Sequence, residues 1–181
     1  EVKEHTTTNQ LTIPYIYTNK NRADFKILAL AGTLWDEGLD VAINQGNVIH
    51  YILGAIYTTT DLNRAIQMAL QKGLIKEQEV KEIKEIVKKV ILHKDLNQFY
   101  EKGIEVLNER DLLMADGTIQ RPDRVVIKNN HATIIDYKTG EQNPKYHHQL
   151  NTYAESFSNM GYIIDHKIIV YINTEIELDY I

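Results

Sequence analysis

The rest of the chain is organised around residues 121–140, which read RPDRVVIKNNHATIIDYKTG. Two β-branched runs, at residues 125–127 and 133–135, lie on either side of an Asn129–Asn130 pair. Asparagine tolerates the positive φ that a tight two-residue turn requires, and β-branched residues favour strands. The pattern therefore predicts a β-hairpin.

The register of this hairpin places two carboxylates opposite each other. If the turn is centred between Asn129 and Asn130, Asp123 faces Asp136 at the open end. Facing side chains lie about 5 Å apart, and like charges there are destabilising, so a cation is expected between them. Lys138 lies two residues beyond Asp136 and emerges on the same face of the strand. An aspartate and a lysine near a strand end are common on their own, and a β-bulge would separate the two aspartates.

These residues resemble a known nuclease family. The string RPDR at residues 121–124, a following strand and IDYKTG at residues 135–140 are similar to the PD-(D/E)xK nuclease superfamily, and more closely to its RecB-type branch. That branch is found at the C-terminal end of helicase-nuclease chains. The similarity extends downstream to Gln149 and Tyr153 and, less specifically, upstream to His50, so that it covers roughly residues 46–172. It implies an α/β fold with a restriction-endonuclease-like αβββαβ core, a mixed sheet and an added N-terminal helical region.

The resemblance also implies a site and a reaction. Its metal ligands would be His50, Asp123, Asp136 and the backbone carbonyl of Tyr137, and its catalytic residues Asp123, Asp136, Lys138, Gln149 and Tyr153. Carboxylate oxygens with one imidazole suit Mg²⁺ or Mn²⁺. Lys138 would orient or deprotonate a water, with a pKa expected to be lowered by partial burial beside a metal. The implied function is metal-dependent hydrolysis of DNA phosphodiester bonds in DNA end processing and recombination repair. The implied partners are DNA and a helicase domain, on the same longer chain or in a complex.

His50 can be interpreted in two ways. An apolar stripe at i, i+3, i+4 and i+7 predicts a helix that Gly46 opens; its residues are Ile49, Ile52, Leu53 and Ile56. His50 lies at the edge of this stripe, about 100° around the helix from Ile49. From the residues alone it is a half-buried histidine with a local hydrogen bond, whereas the resemblance assigns it as a metal ligand.

The remaining patterns place helices first and the sheet second. Helices are predicted at residues 26–35, 61–73, 76–91 and 93–100, and a crossover helix at 145–160. Strands are predicted at residues 104–114, 168–172 and 175–180. We expect one nuclease domain over residues 1–181, with a mainly helical part at 1–100 that carries His50 and a catalytic β-sheet core at 101–181.

The first strand is predicted to end in a two-residue turn at Asp116 and Gly117. With that turn, Glu109 faces Arg124 and Arg110 faces Asp123. Arg124 is then a structural cross-strand partner rather than a DNA contact. The first three strands would form an antiparallel meander.

Composition limits the remaining choices. The chain has 181 residues, no cysteine and a net charge of −5. Without cysteine there is neither a disulfide nor an iron–sulfur cluster, which fits an intracellular, cytoplasmic protein. The negative charge argues against non-specific DNA affinity from overall charge and counts against a nuclease, although an acidic nuclease domain is compatible with it if a motor domain holds the DNA. No run of 18 apolar residues predicts a membrane span, and no phosphate-binding GxxxxGK[ST] loop occurs. We expect the chain to be a piece of a longer protein or a processed one.

Two other functions are compatible with the same core. One is a nuclease-like module that binds DNA or supports a helicase without cutting, although an intact Asp123, Asp136 and Lys138 set argues against it. The other is a sequence-specific restriction-type endonuclease. The additional Gln149 and Tyr153, and the lack of a segment for target recognition, favour the RecB-type interpretation.

Overall fold

A computed structural model describes residues 37–181, with the exception of residues 115 and 116. The helix predicted at residues 26–35 and the polar segment before it lie outside the described residues. Among those that are described, no helix is both long enough and apolar enough to cross a membrane.

Four α-helices are present in this part of the chain: α1 (Glu37–Gly54), α2 (Leu62–Gln71), α3 (Val80–Ile91) and α4 (Pro144–Asn159). Short 3₁₀ turns at Thr59–Asp61, Glu77–Glu79 and Asn97–Tyr100 connect or follow the first three. α1 begins at Glu37, so Gly46 lies inside this helix and does not open it. α4 begins at the predicted place because the Asn143 side chain accepts a hydrogen bond from the Lys145 N–H and Pro144 occupies the first turn.

The described residues contain seven strands, which form one large sheet and one small ribbon: β1 (Glu105–Asn108), β2 (Leu112–Leu113), β3 (Ile119–Gln120), β4 (Arg124–Lys128), β5 (His131–Lys138), β6 (Ile163–Ile172) and β7 (Ile176–Tyr180). The large sheet has the order β1-β4-β5-β6-β7, and β2 pairs only with β3. β5 and β6 are parallel and are connected through α4, whereas the other neighbours in the sheet are antiparallel. This α/β architecture with a mixed sheet confirms the predicted restriction-endonuclease-like fold class.

The central hairpin has the predicted register. Val125 pairs with Ile134 and Ile127 with Ala132. Asn129 and Asn130 have φ values of 52° and 67°, the left-handed conformation that a tight hairpin turn requires. The β4–β5 ladder contains no bulge.

The register predicted for the first strand is wrong by one residue. Asn108, not Glu109, pairs with Arg124. The Met114 N–H donates to the Thr118 carbonyl at 2.8 Å, so three residues form the loop instead of two. The predicted strand also divides into β1 and β2, because Glu109 has a φ of 49°. A shift of one residue moves every side chain to the other face of the strand.

The sheet separates two hydrophobic layers. Side chains alternate between the two faces of each strand, so neighbouring residues of β5 belong to different layers. Ile135 and Tyr137 pack toward the cluster that contains the α1, α2 and α3 core. Ile134, two positions before Asp136, packs in the cluster that contains Leu150 and Tyr153 of α4. Asp136 and Lys138 therefore point from β5 toward the α4 side.

Candidate metal-binding active site

Asp123 joins three elements at the open end of the hairpin. It lies immediately before β4, and its Oδ2 accepts a hydrogen bond of 2.7 Å from the Tyr137 N–H of β5. Its Oδ1 lies 3.5 Å from Nδ1 of His50 on α1. One oxygen of the carboxylate is thus held by the backbone, while the other faces the imidazole.

Asp136 is a buried carboxyl group with a raised pKa. Its Oδ2 lies 2.7 Å from Nζ of Lys138 but accepts no well-aligned hydrogen bond. Burial and the nearby charge of Asp123 raise the pKa of Asp136 to about 6, although Lys138 opposes the shift. A buried carboxylate oxygen without a directed donor is suited to bind a cation.

Lys138 is held in its charged form. Burial alone would lower the pKa of Lys138, but the adjacent Asp136 carboxylate raises it above the ordinary value. The ammonium group also lies 4.8 Å from the centre of the Tyr146 ring, an arrangement that favours a cation. In the protein without a metal, the direction of the shift is thus opposite to the expected lowering.

His50 is half-buried on α1 beside the same carboxylate. Burial lowers the pKa of His50, but the contact with Asp123 outweighs it, so the pKa is raised. The edge of the imidazole packs against the Tyr137 ring, with 6.2 Å between the ring centres. These contacts orient the imidazole toward Asp123.

Glu109 belongs to the same group of side chains, although the sequence pattern did not indicate it. His50, Glu109 and Asp123 each offer one ligand atom, and these atoms lie within 4.8 Å of one another. Burial and the charge of Asp123 raise the pKa of Glu109, while His50 lowers it. The predicted register placed Glu109 opposite Arg124 because it assumed a loop of two residues. A three-residue loop with Gly117 in the left-handed conformation was the alternative that would have identified Glu109.

Gln149 and Tyr153 of α4 form a hydrogen-bonded pair. Gln149 Nε2 donates to Tyr153 Oη at 2.7 Å, and Tyr153 Oη donates to the Arg121 carbonyl at 3.2 Å. Burial raises the pKa of Tyr153, and the charges of Asp136 and Asp123 add to this, against the hydrogen bond from Gln149. The hydroxyl therefore lies within the electrostatic field of both aspartates.

Arg124 has a structural role, but its partners differ from the predicted one. Its buried guanidinium donates to the carbonyls of Ile56, Tyr57 and Phe99 and to the side chain of Asn108, and it stacks 4.0 Å from the centre of the Tyr100 ring. Tyr100 in turn hydrogen-bonds Tyr137 through the two hydroxyl groups. Arg124 thereby connects the C-terminal end of α1 to the strand that follows Asp123.

Comparison with known proteins identifies the family. Residues 21–162 match the sequence profile of the PD-(D/E)XK nuclease superfamily, which is more than half of the chain. No curated protein matches the sequence significantly. The chain therefore belongs to the PD-(D/E)XK nuclease superfamily, whose members use divalent metal ions.

Proposed function

From membership in the PD-(D/E)XK nuclease superfamily, we propose that this protein is a metal-dependent nuclease of the RecB type that hydrolyses DNA phosphodiester bonds. The observation that carries the proposal is the arrangement of Asp123 and Asp136. The Tyr137 N–H holds Asp123 against β5, and the charge of Asp123 helps to raise the pKa of the buried Asp136 to about 6. Burial combined with a specific charged neighbour is typical of functional carboxylates.

The proposed metal ligands are His50, Asp123, Asp136 and the backbone carbonyl of Tyr137. The donor set fits a divalent cation, because a positive charge relieves the repulsion between two nearby carboxylates. Oxygen donors with one imidazole suit Mg²⁺ or Mn²⁺. When bound, the cation would supply a Lewis acid that lowers the pKa of a water and stabilises charge on the scissile phosphate.

Lys138 is proposed to orient the attacking water. Because Asp136 raises the pKa of Lys138, the ammonium group is charged at neutral pH and can donate hydrogen bonds to the water or to a phosphate oxygen. Gln149 and Tyr153 are proposed to position the water or the phosphate. Their mutual hydrogen bond and the contact with the Arg121 carbonyl fix the hydroxyl at the side of the site formed by α4.

The wider role follows from the RecB-type interpretation. We propose that the chain is the nuclease module of a helicase-nuclease, acting in DNA end processing and recombination repair inside the cell. It would form one domain over residues 1–181, with a helical part at 1–100 and a catalytic core at 101–181. The net charge of −5 argues against DNA affinity from overall charge, so in this proposal the helicase partner would hold the DNA.

The test is a cleavage assay with end-labelled linear DNA and closed circular DNA, in Mg²⁺, Mn²⁺ or EDTA. We expect cleavage with either metal and none with EDTA, since the chemistry depends on the cation. A mock purification from cells without the protein controls for contaminating nucleases. DNA binding without any cleavage would support an inactive nuclease-like module. Cleavage of circular DNA at one defined sequence would support a restriction-type endonuclease.

A further inference from the structure

We propose that Glu109 is a ligand of the divalent cation, in a site that it forms with His50 and Asp123; this inference rests on the metal-dependent function proposed above. The three side chains offer one imidazole nitrogen and two carboxylate oxygens within 4.8 Å of one another. This set differs from the one implied by the family motif because it includes a residue outside that motif. It also lies on the His50 side of Asp123, whereas Asp136 is paired with Lys138.

The backbone fixes Glu109 between α1 and the start of β4. The Glu109 N–H donates to the Asp123 carbonyl at 3.0 Å. The preceding side chain, Asn108, donates to the carbonyls of Gly54 and Ile56 at 3.0 and 2.9 Å. Glu109 therefore has little freedom to move away from Asp123, and a metal site gains affinity when its ligands are held in advance.

Gly54 provides the space that the Glu109 side chain occupies. A Cβ atom at Gly54 would lie 3.1 Å from Cγ of Glu109, which is closer than an ordinary contact. Gly54 follows His50 by one helical turn, so both lie on the same face of α1. One turn of α1 thus presents the His50 imidazole and, at Gly54, the space that the Glu109 side chain needs.

The charges of His50, Glu109 and Asp123 do not balance one another, and this favours a bound cation. Glu109 and Asp123 are like charges at close range, and one histidine cannot neutralise both of them. A divalent cation can accept both carboxylates and the neutral imidazole at once. Mg²⁺ and Mn²⁺ are the ions that fit mainly oxygen ligands with one nitrogen.

The experiment measures Mn²⁺ affinity in the full chain after EDTA treatment and removal of EDTA, by calorimetry and by the loss of the free-Mn²⁺ paramagnetic resonance signal. Glu109→Gln keeps the size of the side chain but removes its charge, and we expect it to weaken binding on the order of tenfold or more. Glu105→Gln is the matched control, because Glu105 is an exposed glutamate of β1. Its affinity is expected to equal that of the wild type.

A second variant keeps the proposal testable if Glu109→Gln folds poorly. Gly54→Ala retains the Glu109 carboxylate but occupies the space beside Cγ of Glu109 and so displaces this side chain. It should weaken Mn²⁺ binding in the otherwise wild-type protein and have no further effect in the Glu109→Gln background. Equal Mn²⁺ affinity in the wild type, Glu109→Gln and Gly54→Ala would overturn the role of Glu109. If Asp136→Asn weakened binding in that same series, the proposed function would stand without Glu109. If the wild type bound no Mn²⁺, both would be wrong.

Discussion

Strand β5 carries an ion pair near each of its ends, and the two pairs differ in burial rather than in distance. His131 and Asp165 lie 2.6 Å apart with side chains 43% and 44% exposed. Lys138 and Asp136 lie 2.7 Å apart with side chains 19% and 3% exposed. The second pair has a further carboxylate nearby, since the charge of Asp123 helps to raise the pKa of Asp136 to about 6. A short contact between charges is therefore common to both pairs. The second pair is distinguished by burial beside a further carboxylate, a combination that is typical of functional groups.

The largest expected effect comes from replacing the aspartate of each pair. Asp136→Ala should reduce cleavage of end-labelled DNA by at least on the order of 10²–10³-fold, the size of one lost electrostatic contact to a transition state. Asp165→Ala removes an aspartate from an ion pair of similar length at the other end of β5, and its activity should match the wild type. Circular dichroism should show the same fold for both variants. Wild-type activity in Asp136→Ala, in a preparation free of other nucleases, would contradict the proposed mechanism.

Replacing Lys138, the basic residue of the buried pair, separates catalysis from metal binding. Lys138→Ala should lower turnover by roughly 10²–10⁴-fold, the usual contribution of a positioned proton-transfer or hydrogen-bonding group. Its Mn²⁺ affinity should stay within about threefold of the wild type, because Lys138 acts on water and not on the ion. Calorimetry and single-turnover cleavage measure the two quantities on the same sample. A joint loss of affinity and activity would show that Lys138 organises the ligands instead.

A smaller effect is expected for stability. Asp123→Asn retains an oxygen that can accept the Tyr137 N–H but removes the repulsion with Asp136, so the metal-free variant should be at least as stable as the wild type. The wild type should gain about 2.7 kcal/mol at a Mn²⁺ concentration 100 times its dissociation constant, provided that the unfolded chain does not bind the ion. Asp123→Asn should lose this gain.

The exposed His131–Asp165 pair supplies the control for the stability measurement. Asp165→Asn should cost only about 0.2–1 kcal/mol and keep the full Mn²⁺-dependent rise in melting temperature. Melting each protein in EDTA and in millimolar Mn²⁺ distinguishes the variants. If metal left the wild-type melting temperature unchanged and Asp123→Asn were destabilised, Asp123 would be a structural residue only.

The central hairpin was predictable because local chemistry alone sets its register. Asn129 and Asn130 adopt positive φ values, and the β-branched runs on both sides pair without a bulge. That register brought Asp123 close to the part of β5 that carries Asp136, where the Tyr137 N–H donates to it. The resemblance to a nuclease family added the helix residues Gln149 and Tyr153, which form a hydrogen-bonded pair beside the site.

Features that depend on distant contacts could not be derived in the same way. Glu109 was assigned to the wrong face because one additional loop residue reverses the alternation of the strand. Arg124 was expected to pair with a carboxylate, but it binds carbonyls of Ile56, Tyr57 and Phe99, which are brought together only by tertiary packing. Sequence spacing contains no record of such partners.

The smallest expected effect tests how closely α1 packs against the end of β5 that carries Lys138. A Cβ atom at Gly46 would lie 2.6 Å from Oγ1 of Thr139, the residue after Lys138. Gly46→Ala should gain up to about 1 kcal/mol from helix propensity but lose about 1–3 kcal/mol from the clash. In a Thr139→Ala background the clash disappears, so Gly46→Ala should stabilise the protein by about 1 kcal/mol. A His131→Ala background changes only the other end of β5 and should leave the effect of Gly46→Ala as in the wild type. Urea unfolding of the wild type, the three single variants and the two double variants measures the difference. Equal effects of Gly46→Ala in all three backgrounds would exclude close packing of α1 on Thr139.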